Sequence, residues 1–296
     1  MEIDKPIFIN GCPRSGTTML AELLCSHPDV AWFSNYTNIF PSVPQLALIS
    51  RVCTLQHPNF SKKLGKLQPY PTEAWNIWKH CCSNKFLFLP LDETDVTEKN
   101  IRCLKKIIGK HLRYQKKKRF ITKITGPPKI RYLNKVFPDS MFVYIIRDGR
   151  GVSNSLLNVA FWKRGKGYDV PWWGQLPQQF EEEWLNYHKS HAVLAAVQWK
   201  YMLTLFLEEK NAIDESRCCI VKYEDICKDP YTSIRKIVTF CDLEWNKDFE
   251  RFIKSFKVKN MNYKWKEKIP KDQQNDLNEV LKEYLERFAY EIDSTT

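Results

Sequence analysis

Apolar positions in this 296-residue chain fall into two kinds of run, and the two kinds alternate. Pro6-Ile7-Phe8-Ile9 is short, apolar and β-prone, whereas Met19, Leu20, Leu23 and Leu24 just beyond it recur at helical spacing. That pairing predicts a strand, a tight loop and a helix. Across 99–113 the residues Ile101, Leu104, Ile107, Ile108 and Leu112 again keep helical spacing, and Arg119-Phe120-Ile121-Thr122-Lys123-Ile124 then reads as a strand. A Pro-Pro break within 125–137 leads to 141–146, Met-Phe-Val-Tyr-Ile-Ile, the uninterrupted pattern of a parallel strand buried on both faces. Helical periodicity returns over 181–209, residues 218–222 read as another strand, and two further helices fit 232–240 and 273–288. Strands alternating with helices imply an α/β fold around a central, mostly parallel sheet.

Two stretches break the rhythm. Residues 32–60 are rich in Asn, Ser, Pro and aromatics and predict a long, partly irregular surface segment, a length often put to functional use. Residues 160–180 are rich in Trp, Gly and Pro and predict a loop or lid. Nothing between them reads as a linker, so the expectation is one domain over 1–296. No run of roughly 18 apolar residues exists, and Met-Glu-Ile-Asp-Lys enters the first strand without an apolar signal region. A soluble, cytoplasmic protein without stable membrane insertion is expected. The 10 cysteines include the adjacent pairs Cys81-Cys82 and Cys218-Cys219 but no Cys-x-x-Cys, and in that compartment reduced thiols are expected.

Charge narrows the ligand class. A net charge of +12 favours anionic ligands without choosing among them. The densest basic run, Lys116-Lys117-Lys118-Arg119, sits between a helix and a strand and reads as a solvated turn. Trp and Tyr are plentiful but spread along the chain rather than interleaved with basic residues, which argues against a nucleic-acid recognition module.

The chemistry concentrates after two of the strands. Gly11-Cys12-Pro13-Arg14-Ser15-Gly16-Thr17-Thr18 has the glycine separation of a phosphate-binding loop, but Thr17 and Thr18 occupy the slots of the usual Lys and Ser/Thr. Successive backbone N–H groups and the positive end of the following helix converge on an anion in such a loop. Without the lysine that a magnesium-bound triphosphate normally needs, it suits a nucleotide with a less charged 5′ end, Arg14 adding positive charge. The strand at 141–146 ends in Arg147-Asp148-Gly149-Arg150, at the carboxyl edge where open α/β sheets collect ligands. Ser155 lies eight residues on, about two helical turns, so Arg147 and Ser155 are placed to grip a second phosphate.

With these two motifs the chain resembles the sulfotransferases that use 3′-phosphoadenosine 5′-phosphosulfate (PAPS). The segments His27-Pro28-Asp29-Val30, 119–133 and Asn262-Tyr263-Lys264-Trp265 are similar to the branch containing the tyrosylprotein sulfotransferases and many bacterial-type enzymes. The resemblance runs from about residue 6 to residue 290. It implies a P-loop-type three-layer fold, PAPS as co-substrate and no metal. It further implies that Pro13, Arg14, Ser15, Gly16, Thr17 and Thr18 form the 5′-phosphosulfate loop, with Arg14 assisting at the leaving phosphate, and that Arg147 and Ser155 form the 3′-phosphate pair. Lys123 would be the catalytic lysine, Tyr223 in the Tyr-Glu segment would help hold the nucleotide, and Lys264 and Trp265 would close over it, the ring near adenine.

The general base is where the resemblance breaks. Those tyrosylprotein enzymes carry Glu-Glu-Thr downstream of the His-Pro element, and here the text is Asn35-Tyr36-Thr37. An unperturbed phenol, with a pKa of ~10, is a poor base at neutral pH. Tyr36 therefore disfavours protein-tyrosine sulfation and points to a base from elsewhere. His188 and His191, beside the expected lid, are candidates, and Asp92 and Glu93 are placed on an acceptor loop. The expected acceptor is a hydroxyl or amine of a small molecule, sugar or lipid. Two alternatives stay open: a P-loop kinase or nucleoside triphosphatase lacking the lysine, and a basic nucleic-acid-binding protein on a degenerate nucleotide fold.

Overall fold

The structure, a computed structural model, describes residues 3–55, 68–160, 162, 175–258 and 260–292. Five strands form one parallel sheet in the order β2-β3-β1-β4-β5: β1 (Ile7–Gly11), β2 (Val30–Ala31), β3 (Arg119–Thr125), β4 (Met141–Ile146) and β5 (Cys218–Lys222). β1 is central, with Ile9 opposite both Lys123 of β3 and Val143 of β4. The chain leaves β1 towards one side, builds β2 and β3, and then crosses to β4 on the other. That reversal opens a crevice at the carboxyl ends of β1 and β4, the usual ligand position in such sheets.

Alternation along the strands sorts two cores. Phe8, Phe120, Phe142 and Tyr144 face one layer of helices, while Ile7, Ile9, Ile121, Val143 and Ile145 face the other. In chain order the helices are α1 (Thr17–Cys25), α2 (Asn35–Ile39), α3 (Ala47–Leu55), α4 (Trp75–Cys81), α5 (Lys85–Phe88), α6 (Glu98–Gln115), α7 (Ile130–Val136), α8 (Gly149–Leu157), α9 (Gln178–Asn186), α10 (His191–Lys210), α11 (Tyr223–Lys228), α12 (Pro230–Phe240), α13 (Lys247–Ser255), α14 (Lys264–Lys268) and α15 (Lys271–Arg287). Helices α6, α10 and α15 cover the first face, and α1, α12 and α13 the second. This is the expected α/β architecture, a parallel sheet between two helical layers.

Several expectations need correcting. The helix expected over 181–209 is two helices, because the backbone turns left-handed at His188 (φ 52°) and Lys189 (φ 58°) and Ser190 caps the second helix at Val193 N, 3.4 Å away. Within 32–60, the described part folds into α2, a 3-10 turn and α3 rather than irregular chain. The two-residue strand β2 lacks the length to announce itself. The basic run at 116–119 is not wholly solvated: Arg119 is buried and donates to the carbonyls of Lys5 and Asp242, and Lys117 donates to Pro28 O. Cys81 and Cys103 form a disulfide, with Cα atoms 5.3 Å apart, joining the end of α4 to α6. The expected lid over 160–180 lies mostly outside the described residues; of its described part, Trp162, Leu176 and Phe180 are buried. Among the described residues no helix is long and apolar enough to cross a membrane.

Candidate functional site

A cleft of about 650 Å³ lies over the carboxyl ends of β1 and β4. Its walls are the loop before α1, the exposed face of α8, the start of α11, and the chain between α13 and α14. The first three of these walls converge because each directly follows a strand, β1, β4 and β5.

The loop is shaped by its backbone. Arg14 adopts φ 72° and Gly16 φ 96°, and Ser15 N donates to Cys12 O at 3.1 Å, so the chain curls tightly into the N-terminus of α1. Left-handed φ at a non-glycine residue costs energy and tends to mark functional sites. Glycine at 16 has a second reason: a Cβ there would lie 2.6 Å from Cδ2 of Tyr223. Ser15 is fully buried, and its Oγ has no partner among the described residues. An orphaned buried hydroxyl beside a helix N-terminus fits an anionic phosphate oxygen.

Arg147 is held on all sides. Its Nε donates to Asn262 Oδ1 at 3.0 Å, Nη1 to Arg14 O at 2.9 Å and Nη2 to Met261 O at 3.0 Å, while the guanidinium lies over the Tyr223 ring at 4.6 Å. Those three bonds leave one N–H on each terminal nitrogen. Burial pulls its pKa down from the usual arginine value, opposed by Tyr223 and Glu224 nearby. A buried cation with spare donors is a strong attractor for an anion. Arg14 Nε donates to Ser155 Oγ at 2.9 Å, which ties the first loop to α8. Arg14 thus stands beside Ser155, its expected partner motif across the cleft.

Tyr223, the first residue of α11, lines the cleft and also supports its neighbours. Its hydroxyl accepts from Met261 N at 3.3 Å, its ring backs Gly16 and Arg147, and burial raises its pKa to about 12. Lys264 lines the cleft, but Trp265 does not: its ring is 2% exposed and lies under the Arg150 guanidinium at 4.5 Å, inside the first core. The apolar wall is supplied instead by Phe256, Val258, Met261 and Met19. Motif reading also passed over Asn154, Asn158, Lys257 and Lys268. The signal for the first two was present, since Gly151, Asn154, Ser155 and Asn158 share one face of α8.

Lys123, on β3, does not itself line the cleft but bonds to Thr18, which does. It is 6% exposed, its Nζ donates to Thr18 Oγ1 at 2.6 Å, and it lies 3.4 Å from Glu73 Oε1. The remaining candidates lie elsewhere. His188 is exposed in the turn between α9 and α10, and His191 is the exposed first residue of α10; neither lines the cleft. Asp92 caps a 3-10 turn through Thr94, hydrogen bonds that hold its carboxyl below the usual range, and Glu93 pairs with Arg131. Asn35-Tyr36-Thr37 opens α2, where Ser34 and Thr37 cap each other. Among the described residues no group of three His, Cys, Asp or Glu side chains is arranged to hold a metal.

Comparison with known proteins places this arrangement. The chain is 25% identical over 247 residues to a protein-tyrosine sulfotransferase of Drosophila melanogaster, an alignment covering 81% of this chain and 38% of that protein. It is 23% identical over 314 residues to the omega-hydroxy-beta-dihydromenaquinone-9 sulfotransferase Stf3 of Mycobacterium bovis, covering 97% and 76%. The chain therefore spans well under half the length of the fly relative. Among solved structures, sulfotransferase STF9 from Mycobacterium avium superposes with a TM-score of 0.58 at 18% identity, over 100% of this chain and 79% of that one, a likeness of fold. The sequence profile described as "Sulfotransferase family" matches residues 6–247, from β1 through α12, and so takes in the curled loop, Lys123, Arg147 and Ser155: the chain belongs to the sulfotransferase family of enzymes.

Proposed function

We propose that the chain moves a sulfuryl group from PAPS to a hydroxyl or amine of a small-molecule, carbohydrate or lipid acceptor. The observation that carries this reading is the hydrogen bond from Arg14 to Ser155, which joins two anion-binding elements into one cleft of about 650 Å³. PAPS supplies the activated sulfuryl group. The loop at 13–18 and the N-terminus of α1 hold the 5′ end, with Ser15 Oγ as an added donor. Arg147, Ser155 and Arg14 hold the 3′-phosphate, Tyr223 props Arg147, and Lys257, Lys264 and Lys268 add positive charge along the rim. Phe256 and Met19 give adenine an apolar wall in place of Trp265. Lys123, braced by Thr18, donates towards the oxygen that bridges phosphate and sulfur, where charge accumulates on transfer.

Within the acceptor classes, apolar bodies are favoured. Of the large apolar side chains that stand exposed, Ile39, Phe40, Val43, Tyr70, Trp75 and Leu89 cluster in and around α2, α4 and α5, the elements beside Lys123 and Glu73. Exposed apolar area concentrated on one side of a site marks a surface for an apolar ligand.

Calorimetry with 3′-phosphoadenosine 5′-phosphate (PAP) and with AMP tests the donor reading. PAP should bind at least tenfold more tightly, since each charge-assisted hydrogen bond to the 3′-phosphate contributes ~1.5–3 kcal/mol. Arg147→Ala should erase most of the difference, and Ser155→Ala part of it with the fold untouched. Equal affinities in the wild type would remove the argument, and a strictly magnesium-dependent preference for ATP would replace it with the kinase alternative.

A further inference from the structure

Glu73 stands immediately before α4 in a segment that the fold pins with care. Residues 70–72 run antiparallel to 33–35: Asn35 N donates to Tyr70 O at 3.1 Å, Thr72 N donates to Phe33 O at 3.1 Å, and Ser34 bridges Pro71. On its other side, Ala74 turns left-handed (φ 55°) into α4, and Trp78 Nε1 donates to the Glu73 carbonyl at 3.0 Å. The side chain is equally directed. Trp75 Nε1 donates to Oε2 at 2.5 Å, which leaves Oε1 facing Lys123 Nζ at 3.4 Å. Lys123 donates its short hydrogen bond to Thr18, at 2.6 Å, and a carboxylate oxygen carries two lone pairs, so Oε1 keeps one for an incoming proton beside its ion pair with Lys123. The Glu73 side chain is 25% exposed, within reach of a molecule arriving over Tyr70 and Trp75.

We propose that Glu73 is the general base of sulfuryl transfer in this chain, taking the proton from a hydroxyl carried on an apolar acceptor. This rests on the function proposed above. The carboxylate missing from Asn35-Tyr36-Thr37 is supplied by the neighbouring segment that is zipped onto it. In the transfer step, the acceptor oxygen bonds to sulfur as the bond from sulfur to the bridging oxygen breaks. The electron pair of the broken bond stays on the departing 5′-phosphate, beside Lys123, and the acceptor's proton passes to Glu73 and on to solvent. A cation for the leaving oxygen and a carboxylate for the proton of the entering one, held 3.4 Å apart, supply the two partners that such a displacement uses.

Single-turnover transfer from sulfur-labelled PAPS tests this, with 2-naphthol, 1-dodecanol and water alone as acceptors. Glu73→Gln should slow transfer by ~10²–10⁴-fold. It should leave calorimetric PAP affinity within about threefold and abolish the acid limb of the pH–rate profile. The loss should be larger for dodecanol than for the more acidic naphthol, and added acetate should restore part of the rate to Glu73→Ala. A Glu73→Gln enzyme as fast as the wild type would overturn the assignment. So would one whose PAP affinity falls in proportion to its rate, since Glu73 would then be a strut for Lys123. A wild type that binds PAP yet transfers to none of these acceptors would overturn the apolar hydroxyl acceptor and the Glu73 assignment with it, whereas a wild type that fails to bind PAP would overturn the proposed function itself.

Discussion

His111 shows how one side chain can set an acid limit for the whole molecule. It lies wholly buried on α6, edge-on to Phe33 at 4.8 Å, with Nδ1 donating to Ile107 O at 2.8 Å and Nε2 without a partner among the described residues. Burial lowers its pKa from 6.5 to about 4, the backbone bond opposing only in part. The folded state therefore keeps the ring neutral where the unfolded chain has begun to protonate it. Stability is fully present above the unfolded value, falls as pH drops through it, and stops falling below the folded value. The loss on that passage should be on the order of 3 kcal/mol, at 1.36 kcal/mol per pKa unit. Urea unfolding at intervals from neutral to acid pH should show it, and His111→Gln should flatten the slope in that window; an unchanged slope would place the acid sensitivity elsewhere.

At the scale of elements, α4 is the piece whose placement matters most. Its N-terminal side carries Glu73, and its last residue, Cys81, is bonded to Cys103 on α6, so the helix is anchored at both ends. Helix α6 is a firm anchor, since its buried residues include Leu104, Ile107, Ile108 and Leu112 and Thr97 caps its start through Asn100. A closed loop of 22 residues should stabilise the oxidised protein by about 3 kcal/mol. Thermal melts with and without reductant should accordingly differ by roughly 5 to 10 °C. Cys103→Ser should reproduce the reduced midpoint and lose the response to reductant. Equal midpoints for all forms would mean that α4 is held by packing alone.

Over the whole molecule, the net charge of +12 acquires a direction. Arg14, Arg147, Lys257, Lys264 and Lys268 all line one cleft, so the field is focused on the cleft proposed for a multiply charged nucleotide. The expected consequence is kinetic. Stopped-flow association of PAP should slow several-fold between ~20 and ~200 mM salt, as the Debye length shortens from about 20 Å to about 7 Å. Dissociation should change less, because the buried Arg147 is poorly screened. Association of uncharged adenosine should not respond, and if it slows equally, steering is not the cause.

The periodicity of the chain was enough to determine β1, β3, β4 and β5 and the helices α1, α6, α12 and α15, because a strand buried on both faces and an amphipathic helix each leave a local signature. The curled loop and the Arg147 motif were equally legible, since both lie directly after buried strands and need specific residue types at short spacing. Only tertiary structure decided the rest. It turned Trp265 into the first core beneath Arg150, drew Arg119 under the sheet edge, and removed His188 to an exposed turn. It joined Cys81 to Cys103 when the adjacent Cys81-Cys82 pair gave no hint of a partner. It also set Glu73 beside Lys123, 50 positions away in sequence. Side-chain partners brought together across a sheet depend on register, crossover and cap geometry, and no local pattern of hydrophobic and polar residues encodes those.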